Sequence, residues 1–283
     1  IHMMPTEIMG QTSLMTLTDT PKIKRAISIV AKIDRETYFP SDMVNIVYSN
    51  VRVTKETAFS YTSASEILES TPNLQIALMI SKSLEKQRKT IGKNINQKPV
   101  TTFVYSPTVS LRKDTDSVYE FKKMISEFAI FANSFVGRYL RYHLDGRGIF
   151  RTCDTMGWLD EIDSSISGSE LMSSIIDNGI SANYLSTILG HDLVGKDEYC
   201  HFTSPIRRLV DCVCHYLLKY IHLLHKAKPE ITCPFTSPEL ELIAYKCYIT
   251  TKKERKIAYN DYKFRYVQVL HSLVKNKDIQ IGR

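Results

Sequence analysis

The sequence predicts a mixed α/β (α+β) fold in which antiparallel strands pack against several long helices. Two β-rich stretches, residues 26–34 and 45–54, lie close together with a turn between them. Three longer stretches, residues 73–89, 118–144 and 206–221, repeat apolar residues at helical spacing. The chain has 283 residues, 43% hydrophobic and 24% charged, enough for a sizeable core and ordinary for a globular protein. No apolar run reaches the roughly 18–20 residues a membrane span needs, so no membrane partner is expected.

In chain order, residues 1–3 read as a tag remnant outside the fold, and residues 4–283 as a single domain. Residues 4–18 form a leader of small helical potential. Residues 26–34 (AISIVAKID) alternate and are β-rich, giving a strand that ends in a turn at Asp34-Arg35-Glu36. Residues 45–54 (NIVYSNVRVT) form its antiparallel neighbour. Residues 63–70 and 73–89 read as helices, the second with an apolar stripe of Ile76, Met79, Ile80 and Leu84. Residues 82–98 are dense in Lys and Arg, and residues 101–105 suit a short strand.

Residues 118–144 are the longest helical pattern and are apolar on more than one side. Asn133 lies within it, and a buried amide must be hydrogen-bonded; a bond to a neighbouring loop is expected. Residues 157–179 are rich in Ser and acids, hold the one tryptophan, Trp158, and read as a helical insertion. Residues 229–238 suit a loop, and residues 238–264 close the chain with one or two helices.

Net charge is +7 with pI about 9.0, which fits a polyanionic partner. None of the six cysteines shows zinc-ribbon spacing, and Cys212-x-Cys214-His215 would spread its side chains around a helix. Reduced, mostly buried thiols and an intracellular setting, cytoplasmic or nuclear, are expected.

The stretch richest in chemistry is residues 199–215, YCHFTSPIRRLVDCVCH. Thr203 and Ser204 are N-cap residue types, and Pro205 suits the first helical position. The helix would then run through residues 206–221 with Leu209, Val213, Leu217 and Ile221 on one face. Arg207 and Arg208 would sit in its first turn, where free N–H groups and the helix dipole favour an anion. Forked guanidinium groups suit phosphate. The same residues equally suit a plain helix start whose arginines pair with acidic side chains elsewhere.

Tyr-x-His-Phe-Thr-Ser-Pro-Ile-Arg-Arg followed by Asp211 and His215, with Gly190-His191 upstream, resembles the RNase II/RNase R family of RNB-type 3′-to-5′ exoribonucleases. The resemblance extends to the leader, to Arg52-Val53-Thr54, to residues 125–133, to residues 148–151 and to Glu254-Arg255. It implies that residues 4–283 are the C-terminal portion of an RNB catalytic domain acting on single-stranded RNA, with no DNA partner. Arg207 would be the catalytic residue, contacting the scissile phosphate and stabilising its growing charge. Arg208, Thr203, Ser204, His201, His191, Tyr199, Arg151 and Asp261 would bind RNA or phosphate, with His215 structural. Residues 82–98 would be a solvated helix end and loop, or an RNA contact.

The family's chemistry uses Mg²⁺ held by an Asp-x-Asp-Asp cluster placed before the leader. Asp114/Asp116, Asp160-Glu161-Asp163 and Asp197-Glu198 do not read that way, so the metal is expected on residues outside this chain and none within it. Tyr48, Leu209, Tyr216 and Asp261 depart from the family's residue types. The resemblance therefore implies either part of an exoribonuclease, alone inactive, or a catalytically inactive homologue that binds RNA or a partner. A partner would be the domain's missing N-terminal half or another protein.

Overall fold

The computed structural model describes residues 5–14, 20–91, 101–104, 110–155, 157, 170, 174–175, 180–226, 228 and 230–276. Residues 1–3, expected to be a tag remnant, the basic stretch at 92–98, Trp158 and most of the acidic insertion lie outside these. Helix α1 (Thr6–Thr12) leads into strand β1 (Lys22–Ile33), which pairs antiparallel with β2 (Pro40–Val53) in the expected hairpin. The turn forms where Asp34 predicts it. Its carboxylate accepts from Glu36 N at 3.0 Å, Thr37 N at 2.8 Å and Thr37 Oγ1 at 2.9 Å, which holds its pKa below the usual range.

One hairpin face carries Ile27 and Ile29 opposite Tyr48 and Ile46. The three isoleucines pack on the main core. Tyr48 OH donates to Leu218 O at 2.7 Å and its ring lies 4.2 Å from that of His222. An aromatic at this position thus fastens the hairpin to a helix, and burial raises its pKa.

Helix α2 (Tyr61–Glu66) starts from a Ser60/Ser63 capping box, two residues earlier than expected. Helix α3 (Pro72–Ile91) forms as expected, but its stripe is different. Ile76 and Met79 are each 46% exposed, whereas Ser81, Leu84, Glu85 and Arg88 are buried. The inward face is set by charge pairing: Arg88 binds Glu127 in a buried ion pair, and Glu85 meets Lys89 at 2.8 Å and Lys123 at 3.1 Å. A hydrophobicity reading misses a face held by salt bridges. Within the basic stretch, Arg88 is therefore engaged inside the protein, and the exposed Lys89 pairs with Glu85.

Strands β3 (Thr101–Val104) and β4 (Ser110–Lys113) form a second antiparallel pair. Thr115 caps α4 (Asp116–Leu144), which is buried on several sides as its composition predicts. Strand β5 (Phe150–Thr152) pairs antiparallel with β6 (Asn183–Leu185). Two helices follow, α5 (Leu209–His225) and α6 (Ser237–Lys275). A Thr236/Glu239 capping box and an early proline start α6, which continues as one 39-residue helix past the expected end at residue 264.

The main core joins Val136, Leu140 and Leu144 of α4 to Phe150 of β5 and Tyr184 of β6. Val210, Val213, Cys214, Leu217, Leu218 and Ile221 of α5 complete it with Leu240 and Ala244 of α6. Their spacing along α5 is the i, i+3, i+4, i+7 pattern of one helical face, each large side chain contributing about 1.5–3 kcal/mol on burial. Leu209, expected on that face, is 60% exposed. A smaller cluster of Ala64, Phe121 and Met124 sits under α2 and α3.

Candidate functional site

Segment 199–208 lies between α4 and β5. Tyr199 O accepts from Arg151 N at 2.7 Å, and Cys200 bridges Phe150. Asn133 anchors the segment as expected: its Oδ1 accepts from Phe202 N at 2.9 Å and its Nδ2 donates to Tyr199 OH at 3.1 Å. Gly137, one turn on, permits the close approach, since a Cβ there would stand 3.2 Å from Tyr199 N and Glu198 C. The 190–196 loop is laced alongside. Gly190 has φ +75° and its O accepts from Cys153 N, while Asp192 Oδ2 accepts from both Thr155 N and Oγ1 at 2.7 Å.

The helix after the motif starts later than expected. Residues 205–207 form a turn in which Ser204 O accepts from Arg207 N and Arg208 N at 3.2 Å, and Arg208 is the N-cap. Neither Thr203 nor Ser204 caps α5, so Arg207 and Arg208 precede the first helical turn. The reason is Asp211, which is 0% exposed. Its Oδ1 accepts from Ser204 N at 2.7 Å and Arg208 Nη2 at 2.9 Å, while its Oδ2 stands 2.8 Å from Arg208 Nε. The second reading of the arginines thus holds for Arg208, whose fork grips a carboxylate. Arg207 is exposed, and among the described residues no carboxylate pairs with it.

Arg151 is 8% exposed, and its guanidinium lies 4.6 Å from the centre of the Tyr184 ring. Burial lowers its pKa, and the positive charges of Arg255 and Arg208 pull the same way. The Tyr184 hydroxyl lies 2.6 Å from His201 Nδ1. Burial, then Arg208 and Arg151, hold His201 down to about 2, and burial and Arg151 hold His191 down to about 4. Both rings are neutral at pH 7 and carry no proton to donate as cations. Tyr199 packs edge-on to both, at 5.4 and 5.9 Å. His215 Nε2 donates to Phe202 O at 2.9 Å and its ring stacks on Phe202, a structural role as expected.

The site is therefore a concentration of positive charge, Arg151, Arg207 and Arg255, with Arg208 offset by Asp211, beside neutral imidazoles. Such a place favours a phosphate. Asp261 lies six residues beyond Arg255 on α6 with its carboxylate 3.4 Å from Arg265 Nε, and Thr203 is exposed beside Arg207. Sequence reasoning missed Tyr184, which holds Arg151 and His201 together and carries no local signal. It quoted Asp211 without assigning it a partner; its position three residues after Arg208 was the available clue.

These residues do not fit a divalent cation. Among the described residues no three His, Cys, Asp or Glu side chains converge as a ligand set. Asp114 pairs with Lys122 at 2.6 Å and Glu198 with Arg141, and Asp160-Glu161-Asp163 lies outside the described residues. All six cysteines are free, with Cys200 and Cys214 sulfurs 3.9 Å apart. A separate cavity of about 490 Å³ opens between β2, α3 and α4, lined by Phe131, Tyr139, Arg138, Lys196 and the Arg88–Glu127 pair.

The family model described as RNB domain matches residues 1–157 and 154–223. A search of curated protein sequences gives no match. Among solved structures, Mycoplasma genitalium RNase R in complex with double-stranded RNA is 20% identical, with TM-score 0.71 over 100% of this chain and 55% of that one. The same organism's RNase R in complex with ribose-methylated single-stranded RNA is 19% identical, with TM-score 0.64 over 88% of this chain and 45% of that one. Yeast Ssd1, a pseudonuclease, is 18% identical, with TM-score 0.53 over 80% of this chain and 32% of that one. The chain spans about half the length, or less, of these proteins.

Proposed function

The chain belongs to the RNB family, and on that premise we propose that it is the C-terminal, phosphate-handling portion of a 3′-to-5′ exoribonuclease domain acting on single-stranded RNA inside the cell. The observation that carries the proposal is Arg207, exposed and unpaired among the described residues while its neighbour Arg208 is locked onto Asp211. Buried Arg151 disfavours a cation here, and the neutral His191 and His201 add no negative charge to attract one. Arg207 would hold the scissile phosphate and neutralise charge that grows as the bond breaks. Arg208, Ser204 and Tyr199 would act through it, by fixing the loop that presents it, and the exposed Thr203 would contact the phosphate directly. Carboxylates outside the described residues would hold the Mg²⁺ that the family's chemistry implies, and without them this stretch would not be expected to cleave.

A second reading is supported by the missing ligand set among the described residues and by the pseudonuclease among the similar folds. In it the protein binds RNA, or a protein partner, without cutting. An RNA-degradation assay with added Mg²⁺ separates the two, run on this chain and on a version joined to an Asp-x-Asp-Asp-bearing segment, each beside Arg207→Ala. The first reading expects stepwise 3′ shortening by the joined protein only, reduced about 10²–10³-fold by the substitution. Salt-sensitive binding without cleavage in both versions would favour the second. No RNA binding in any version would sink the first reading and the RNA-binding form of the second.

A further inference from the structure

Helix α6 changes character along its length. Leu240 and Ala244 are buried against α5 and β6, but every residue from 253 to 264 is exposed. Such a surface is ordinarily dominated by charged and polar side chains, with apolar ones scattered singly. Here it also carries Tyr259 at 58% exposure and Phe264 at 58%, with Tyr262 and Tyr266 close behind. Residues 252–266 contain six cations against two acids, and one of those acids, Asp261, already faces Arg265.

The aromatics and cations are in register. Tyr248, Lys252, Arg255, Tyr259, Lys263 and Tyr266 follow one another at spacings of three or four, which keeps them on one helical face. Lys252 lies 6.0 Å from the Tyr248 ring centre and Lys263 lies 4.5 Å from that of Tyr259. The Tyr262 and Tyr266 rings are near-parallel, 9° apart in plane with centres 6.3 Å apart. From Arg255 to Tyr266 this face runs about 16 Å at the helical rise. Its inner end adjoins the arginine site, because α6 packs on β6, and β6 pairs with the strand that carries Arg151.

We propose that this face of α6 is a track for single-stranded RNA, with bases stacking on the tyrosines and the interleaved cations holding successive phosphates on the way to Arg207. Alternating rings and positive charges are what a sequence-indifferent single-strand surface requires. A second protein would find rings here too, but Lys252, Arg255 and Lys263 would then need acidic partners at the same spacing. The track rests on the RNA reading of the Arg207 site and extends it to a surface some turns away.

The test is fluorescence anisotropy of a labelled 12-nucleotide oligouridylate and of a duplex of equal length, titrated with the full chain at several salt concentrations. Tyr259→Ala/Tyr266→Ala is expected to weaken single-strand binding about tenfold or more per ring while weakening duplex binding far less. Lys252→Gln/Lys263→Gln is expected to lower the slope of log affinity against log salt by about 0.7 per charge. Melting temperatures within a degree or two of the parent would show that these exposed changes leave the fold intact. If the parent binds the oligomer and Arg207→Ala weakens it, but the tyrosine variant binds as the parent does, the track is wrong and the RNA reading stands. If the parent binds no RNA, both fail together. If the tyrosine variant loses only self-association, the face is a protein interface and the track is wrong.

Discussion

At the residue scale, two adjacent arginines do different work because one buried carboxylate takes only one of them. Arg208 and Ser204 N both end on Asp211, so that side chain shapes the loop presenting Arg207. Removing Asp211 strands a guanidinium and a backbone N–H together, a loss on the order of 3 kcal/mol. Asp211→Ala is therefore expected to lower the urea midpoint markedly, while Arg207→Ala leaves the unfolding free energy within about 0.5 kcal/mol of the parent. Paired urea melts decide it. Equal, small effects would mean the Asp211 clamp holds little. The identity of both residues was plain in the sequence, but which arginine was free depended on a pairing that spacing alone left open.

At the element scale, α4 carries the site as well as the core. Asn133 ties down segment 199–202 from one turn, and Gly137 lets that segment lie against the helix backbone at the next. A glycine in mid-helix loses about 1 kcal/mol relative to alanine, so on propensity alone Gly137→Ala should stabilise. The added methyl instead meets backbone atoms at 3.2 Å, which cannot swing away as a side-chain tip would. Overpacking of this kind costs about 1–3 kcal/mol, so a net loss of stability is expected. A displaced Tyr199 should also appear as changed near-ultraviolet circular dichroism. A higher melting temperature would show that the segment yields.

At the scale of the whole molecule, packing of α4, α5, β5 and β6 around the motif strips water from three histidines. His191 is held down to about 4 and His201 to about 2, chiefly by burial, and burial lowers His215 as well. In the unfolded chain these rings titrate near 6.5. Between pH 6.5 and about 4 the unfolded chain binds protons that the folded chain refuses. Stability is therefore full above pH 6.5 and falls as pH drops, by up to about 1.4 kcal/mol per pH unit for each ring. Urea midpoints at pH 7.5, 6.5 and 5.5 should fall in that order, and less steeply in His191→Gln. A midpoint unchanged across that range would mean the rings are solvated.

What the sequence determined by itself was local. Alternation fixed the β1–β2 hairpin, Asp34 its turn, apolar spacing the buried face of α5 apart from Leu209, and the Tyr-x-His-Phe-Thr-Ser-Pro-Ile-Arg-Arg run the family and the place of the candidate site. The need of a buried amide for partners even foretold that Asn133 would bond a neighbouring loop. Each of these follows from residues within a turn or two of one another, or from a single group's unmet valence. Tertiary structure decided the rest: the late start of α5 behind the Asp211 clamp, the salt-bridged face of α3, and the seat of Arg151 on Tyr184. It also made the histidines neutral. Those outcomes depend on charges and rings brought together from distant parts of the chain, where desolvation and pairing outweigh local preference.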